Sequence, residues 1–235
     1  MSAPRPILIH GSGGDHRVWA LLGARLDGAV ALDLPGRPAG APGSTAPEVA
    51  ASCAALVETV DGPRVLVGHS LGGAVALEIA LLRPDLVDGL VIIASAARLP
   101  VPDVTVTRAR EDFGAECDRL VEGSFADPSA PMAAEARAAL VACGPRTLAA
   151  DYAVCRSVEL RGRLDGVRVP VLVLVGSDDP FTPAWLSEEL ARELPMSQMA
   201  VIAGARHMPM AEFDATVAGL IAAYLARLEL TLQGA

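Results

Sequence analysis

Arg64-Val-Leu-Val-Gly-His-Ser-Leu-Gly-Gly73 is the stretch on which the reading of the whole chain turns. Arg64 to Gly68 is short, apolar on both faces and preceded by Gly62-Pro63, which predicts a central strand covered on both sides. Leu71 to Leu82 follows at once and is apolar almost all round, so it predicts a deeply buried helix. Between them Gly68-His69-Ser70-Leu71-Gly72 fits G-x-S-x-G. A serine at such a strand-to-helix turn has its hydroxyl pushed out of the sheet edge, and the flanking glycines let neighbouring backbone pass without a Cβ clash.

A serine hydroxyl is a poor nucleophile until a base takes its proton. The chain has no lysine, all 19 basic residues being arginine, which excludes Schiff-base, pyridoxal, Walker-loop and Ser-Lys chemistry. Histidine is the natural base, and there are four. His10 and His69 adjoin loop glycines and His16 falls near a helix start, so these three read as supporting or solvent-facing. His207, in Gly204-Ala-Arg-His-Met-Pro209, lies between the last strand and the last helix, where a loop delivers an imidazole to the sheet's C-terminal edge. It is the chosen base. The acid that orients it should also leave a parallel strand, and Gly176-Ser-Asp-Asp-Pro180 offers two carboxylates. Asp179, with Pro180 next and Pro183 beyond, fits better than Asp178, which reads as a turn-former bonding its own backbone.

Outward from this core, short β-branched runs alternate with Ala-rich amphipathic stretches, the pattern of an α/β protein with a parallel sheet. Strands are predicted at 6–10, 29–33, 87–94, 169–176 and 198–203. Asp15 is a candidate N-cap for a helix to Leu26, Thr45 and Glu48 have capping-box spacing, and helices are predicted over 183–194 and 211–228. Between 98 and 165 the strand signal vanishes, leaving Ala/Arg/Glu-rich segments broken by Pro102, Pro128, Pro131 and Pro145. The organisation is therefore a core of 1–97 and 166–235 with a helical insertion at 98–165.

Composition limits the partners. The chain has 235 residues, 52% hydrophobic and 20% charged, so a packed globular domain is expected. A net charge of -9 and 3% aromatic residues argue against nucleic acid. The acidic balance reads as a solubility feature, and Trp19 and Trp185 as core or site-wall residues. The four cysteines show no metal-ligand spacing and read as reduced structural thiols. Gly11-Ser-Gly-Gly14 lacks the third glycine of a dinucleotide loop, His16 standing there, and Asp15 beside two histidines is explained by a helix cap. Neither a cofactor nor a metal is expected. Without a charged-then-apolar leader or an uninterrupted apolar run of spanning length, a soluble, cytoplasmic protein with no membrane partner is expected.

Several motifs together resemble the α/β-hydrolase superfamily: Ile7-Leu-Ile-His-Gly-Ser-Gly-Gly14, Asp33-Leu-Pro-Gly36, Gly68-His-Ser-Leu-Gly-Gly73, Gly176-Ser-Asp-Asp-Pro-Phe-Thr-Pro183 and Gly204-Ala-Arg-His207. The order Ser70, Asp179, His207 is that of this superfamily. The resemblance implies Ser70 as nucleophile, Asp179 as acid, His207 as base, and an oxyanion hole from the backbone N–H groups of Ser12 and Leu71. It implies a mostly parallel sheet flanked by helices, with a cap insertion over Ser70. The chain departs from the family pattern in starting almost at the first motif strand, so one sheet edge is expected to be shortened, and in carrying Arg37 where members commonly have histidine. Met132, Leu140 and Leu148 are candidate linings of an apolar acyl pocket. The expected activity is hydrolysis of a small, largely apolar ester through an acyl-enzyme. The same residues also resemble those of cofactor-free haloperoxidases (perhydrolases), lactonases, thioesterases and C–C bond hydrolases, or of a ligand-binding member of the fold.

Overall fold

The computed structural model describes residues 3–36 and 45–234, so Arg37 lies outside the described residues. Its sheet contains β1 (Arg5–Ile9), β2 (Val30–Leu32), β3 (Arg64–His69), β4 (Gly89–Ile93), β5 (Val171–Gly176) and β6 (Ser197–Ile202). Their order is β2-β1-β3-β4-β5-β6, with every neighbouring pair parallel. The fold is that of an α/β hydrolase, with the three-residue β2 at one edge.

The central strands look uniformly apolar because both faces are covered. Ile7, Leu66, Ile92 and Val173 point into one buried cluster, whereas Leu8, Val67, Val91 and Leu174 point into another. The first cluster packs under α2 (Ala46–Glu58), α3 (Leu71–Leu82) and α7 (Ala184–Glu193). The second packs under α1 (Ala20–Gly23) and α9 (Asp214–Gln233). Helix α3 is enclosed as its composition requires; its one charged side chain, Glu78, is buried and receives both guanidinium nitrogens of Arg163 at 2.7 and 2.8 Å.

Several predicted elements are subdivided. The helix expected from Asp15 to Leu26 is a 3-10 turn, His16–Trp19, followed by the short α1, although Asp15 does cap it by accepting from Arg17 N. The closing helix is two, α8 (Pro209–Glu212) and α9, separated at Phe213, where φ is -128° and ψ 42°. Among the described residues α9 alone has the length and apolarity to cross a membrane. In the fold it turns Val217, Ile221, Tyr224 and Leu228 inward, and the Tyr224 hydroxyl donates to Pro170 O at 2.7 Å.

The chain between β4 and β5 carries α4 (Asp103–Glu111), α5 (Phe113–Ser124) and α6 (Pro131–Ser157), all within the predicted 98–165 insertion. The prolines lie where helices tolerate them: Pro102 precedes α4 and Pro131 opens α6. Pro145 breaks the helix as expected: α6 is two helical runs on either side of Gly144, the residue before it, whose φ of 79° and ψ of 163° are non-helical and suit glycine.

β1 connects to β2 on one side and the chain then returns to β3 on the other, so the C-terminal ends of β1 and β3 flank a crevice. The register sets Ile9 beside Gly68, so the loop starting at His10 and the turn at Ser70 leave the sheet side by side. That closeness needs glycine: a Cβ on Gly72 would overlap the Ile9 carbonyl oxygen, and one on Gly68 would overlap Gly72 O. Gly72→Ala is therefore expected to lower unfolding stability by about 2–4 kcal/mol, as a core overpacking does. Urea unfolding measures it, and a loss under about 0.5 kcal/mol, the range of an ordinary surface substitution, would mean the two backbones are not in contact.

Candidate active site

Ser70 follows the last residue of β3 with φ 52° and ψ -118°, a conformation that L-residues rarely adopt. Its backbone is pinned from three directions. Ser70 N donates to Ile93 O at 2.9 Å, the Ser95 hydroxyl donates to Ser70 O at 2.7 Å, and Gly73 N donates to the same oxygen at 3.0 Å. These bonds hold the turn that the sequence predicted, and Ser70 faces a cavity of about 570 Å³ together with His207.

His207 is nearly buried in the loop before α8. Its Nδ1 donates to Asp179 Oδ2 at 2.8 Å. A carboxylate cannot donate there, so the proton resides on Nδ1 and Nε2 keeps its lone pair. Asp179 is almost wholly buried and also accepts from Phe181 N, Thr182 N and Thr182 Oγ1 at 2.9, 2.9 and 2.8 Å. Burial pushes the carboxyl up, but the His207 charge, the His207 bond and the Thr182 bonds outweigh it, and the group stays ionised below the usual aspartate range. Asp178 is exposed and accepts from the Ser177 hydroxyl at 2.8 Å, so of the two carboxylates it is Asp179 that bonds His207. Ser70 and His207 line the same cavity, while no hydrogen bond of 3.5 Å or less joins their side chains among the described residues.

The other histidines hold loops. His69, buried, donates from Nε2 to His207 O at 2.8 Å, tying the His207 loop to β3. Burial, with His207 adjacent, lowers its pKa to about 3, so the ring remains neutral. His10 Nε2 accepts from Leu34 N at 3.0 Å and its Nδ1 donates to Gly11 O at 2.8 Å, so it joins the loop after β1 to the one after β2. His16 is exposed and pairs with Asp33.

Leu71 N is the first amide of α3 and has no intrahelical acceptor, and Ser12 lies on the adjoining glycine-rich loop. Neither amide donates to a protein acceptor among the described residues. Gly13 N, the next donor along that loop, is instead held by Asp151 Oδ2 at 2.7 Å. Beside it the Ser12 hydroxyl lies 3.2 Å from the Cys155 thiol, whose pKa burial pushes up to about 12. All four cysteines are buried and unbridged.

The insertion walls the cavity through Thr105, Leu120 and Leu140, and Phe125 and Phe181 add aromatic surface. Of the three candidate pocket residues only Leu140 lines it. Met132 stands eight residues earlier on α6, about 12 Å along a helix, and packs on the apolar cluster under the insertion. Leu148, past the kink, is fully buried against Gly13 instead. Trp185 lines the cavity at its solvent side and is 55% exposed, whereas Trp19 is buried with its ring edge-on to His69. Reading the sequence missed Asp151, Cys155 and Thr182. The Asp179-x-x-Thr182 spacing, a local side-chain-to-backbone turn, was the one available signal for Thr182.

The profile described as Alpha/beta hydrolase family matches residues 7–220. The chain is similar to the pimeloyl-[acyl-carrier protein] methyl ester esterase of Neisseria meningitidis serogroup B, 31% identical over 220 residues covering 86% of this chain and 85% of that one. Among solved structures it superposes on a thermophilic esterase with TM-score 0.85 and 29% identity, over 95% of this chain and 90% of that one. The enol-lactonase of Burkholderia xenovorans LB400 shares the fold, with TM-score 0.87 and 22% identity over 96% and 92% of the two chains. The chain belongs to the alpha/beta hydrolase family. It is an enzyme of the carboxylic ester hydrolase type.

Asp179→Asn is expected to lower kcat by about 10³–10⁴-fold by imposing the wrong tautomer on the imidazole, while Asp178→Asn stays within about twofold because that exposed side chain holds only its neighbour. Steady-state kinetics on one ester decides the ranking. The folded-state carboxyl of Asp179 lies below its unfolded value of 3.8, so it adds stability above that pH that is lost as pH falls through the lowered value. Urea unfolding of Asp179→Asn from pH 7 to pH 3 (roughly the span over which such a carboxyl titrates) should accordingly show a flatter acid limb than the parent.

Proposed function

We propose that the protein is a serine esterase that cleaves small, largely uncharged esters with an apolar acyl part through an acyl-enzyme intermediate. The observation that carries this reading is the 2.8 Å bond from His207 Nδ1 to Asp179, in a cavity that His207 shares with a serine held in a strained turn. Ser70 Oγ adds to the ester carbonyl while its proton passes to His207 Nε2. The oxyanion is held by the N–H groups of Ser12 and Leu71, the imidazolium by Asp179. Collapse expels the alcohol, which takes the proton from His207. Water then adds through its oxygen to the acyl carbon while giving a proton to the same nitrogen, and collapse breaks the bond to Ser70 Oγ, which takes that proton back as the acid leaves.

The similarity to methyl ester esterases acting on a pimeloyl group borne by a carrier protein supports a carboxylic ester with an extended acyl chain. So does the cavity, apolar at Leu120, Phe125 and Leu140 and open toward Trp185, which leaves room for a substrate that continues outward. The proposed partner is a small-molecule substrate, met by a soluble cytoplasmic enzyme without cofactor, nucleic acid or membrane.

Methyl and p-nitrophenyl esters of increasing acyl length test the reading. Turnover should rise with chain length before levelling, and Ser70→Ala should lower kcat by about 10⁶-fold, as loss of a nucleophile in such a triad does. Retention of more than a hundredth of the parent activity in a folded Ser70→Ala protein would assign the hydrolysis to another group.

A further inference from the structure

Past its kink, one face of α6 lies along the loop that follows β1. Leu148, Asp151 and Cys155 occupy positions i, i+3 and i+7 of that helix and so share a face. Each meets one of two adjacent loop residues, Ser12 or Gly13. Leu148 Cδ1 stands 3.0 Å from where a Gly13 Cβ would be, Asp151 Oδ2 accepts from Gly13 N at 2.7 Å, and Cys155 Sγ lies 3.2 Å from Ser12 Oγ. Asp151 is 2% exposed, and the Gly13 amide is one of the groups its buried carboxylate meets.

The loop geometry gives that amide its importance. Gly14 N donates to Gly11 O at 3.3 Å, which closes a β-turn over Ser12 and Gly13. Gly13 has φ 68° and Ser12 has no positive φ, the combination of a type II turn. In such a turn the central peptide, Ser12 C=O to Gly13 N–H, is flipped relative to its direction in type I. In the flipped state its N–H meets the Asp151 carboxylate. In the other state the Ser12 carbonyl would turn toward that carboxylate and oppose it, lone pair against lone pair.

We propose that Asp151 is a positioning residue: by accepting from Gly13 N–H it anchors the Gly11–Gly14 turn to α6 and so holds the Ser12 N–H, on the neighbouring Gly11–Ser12 peptide, in place for the oxyanion. The inference rests on the serine esterase reading above. A negative charge this close to a developing oxyanion opposes it, so what serves the reaction is the acceptor oxygen and not the charge. The inserted helix therefore does more than wall the pocket, because it also sets one of the two donors of the oxyanion site.

The test compares Asp151→Asn, which keeps an acceptor oxygen, with Asp151→Leu, which fills similar space without one. Melting temperature is recorded for each. In Asp151→Leu, kcat should fall by about 10²–10³-fold, the cost of losing one oxyanion donor, with KM within about threefold and the affinity of an alkyl boronic acid weakened by the same factor as kcat. Asp151→Asn should stay within about tenfold of the parent on all three. The proposal is overturned if Asp151→Leu keeps its kcat, if it loses activity through KM alone, or if Asp151→Asn is impaired as severely as Asp151→Leu. Should Asp151→Leu not fold, the boronic acid affinity of Asp151→Asn decides, within about tenfold supporting the proposal and more than about a hundredfold overturning it. Failure of the esterase reading is seen separately, as turnover that survives Ser70→Ala.

Discussion

The backbone of Ser70, held at φ 52°, is the constraint around which the middle of the sheet is arranged. A non-glycine residue in that region costs on the order of 1–3 kcal/mol and persists only where its surroundings over-determine it. Here its N–H donates to Ile93 O while its carbonyl accepts from the Ser95 hydroxyl, Gly73 N and Ala74 N, and the glycines at 68 and 72 let β1, β3 and α3 close around it. In exchange the hydroxyl stands clear of the sheet, at the head of a helix whose first amides point the same way.

Around that turn the site is built from loops tied to one another more than to the sheet. His69, next to Ser70, holds the carbonyl of His207, and Asp179 holds the ring of the same residue. His10 ties the loop after β1 to Leu34, and Asp151 reaches that loop from the insertion. Two neutral histidines and two buried carboxylates thus fix the loops that carry His207 and Ser12 beside Ser70. Each of these four groups is buried with a partner, which satisfies the rule that an unpaired one would cost more than it contributes.

Much of this was legible in the sequence wherever the governing interaction is local. Ser70 was recognisable because a strand, a turn and a helix follow one another within 20 residues, roughly the span that local pattern covers. His207 and Asp179 stood out through elimination, there being no lysine and few histidines, and through their place after strands. The burial of α3, complete from Leu71 to Ala80, was evident from its composition, and its bounds agree with the expected ones. The pocket residues were not legible in the same way. Met132 and Leu148 are as apolar as Leu140, and only the kink at Gly144 and the path of α6 decide which of them reaches the cavity. Asp151 left no local trace either, since its partner lies 138 residues away.

The account rests on the hydroxyl of Ser70 being reactive at neutral pH through His207, and covalent labelling tests that most directly. The native protein is treated with an alkyl fluorophosphonate, digested, and mapped by mass spectrometry. The expected result is a single phosphonyl adduct on the peptide containing Ser70, absent after His207→Ala. An adduct on another residue, or an unmodified Ser70 in protein that continues to hydrolyse esters, would contradict it.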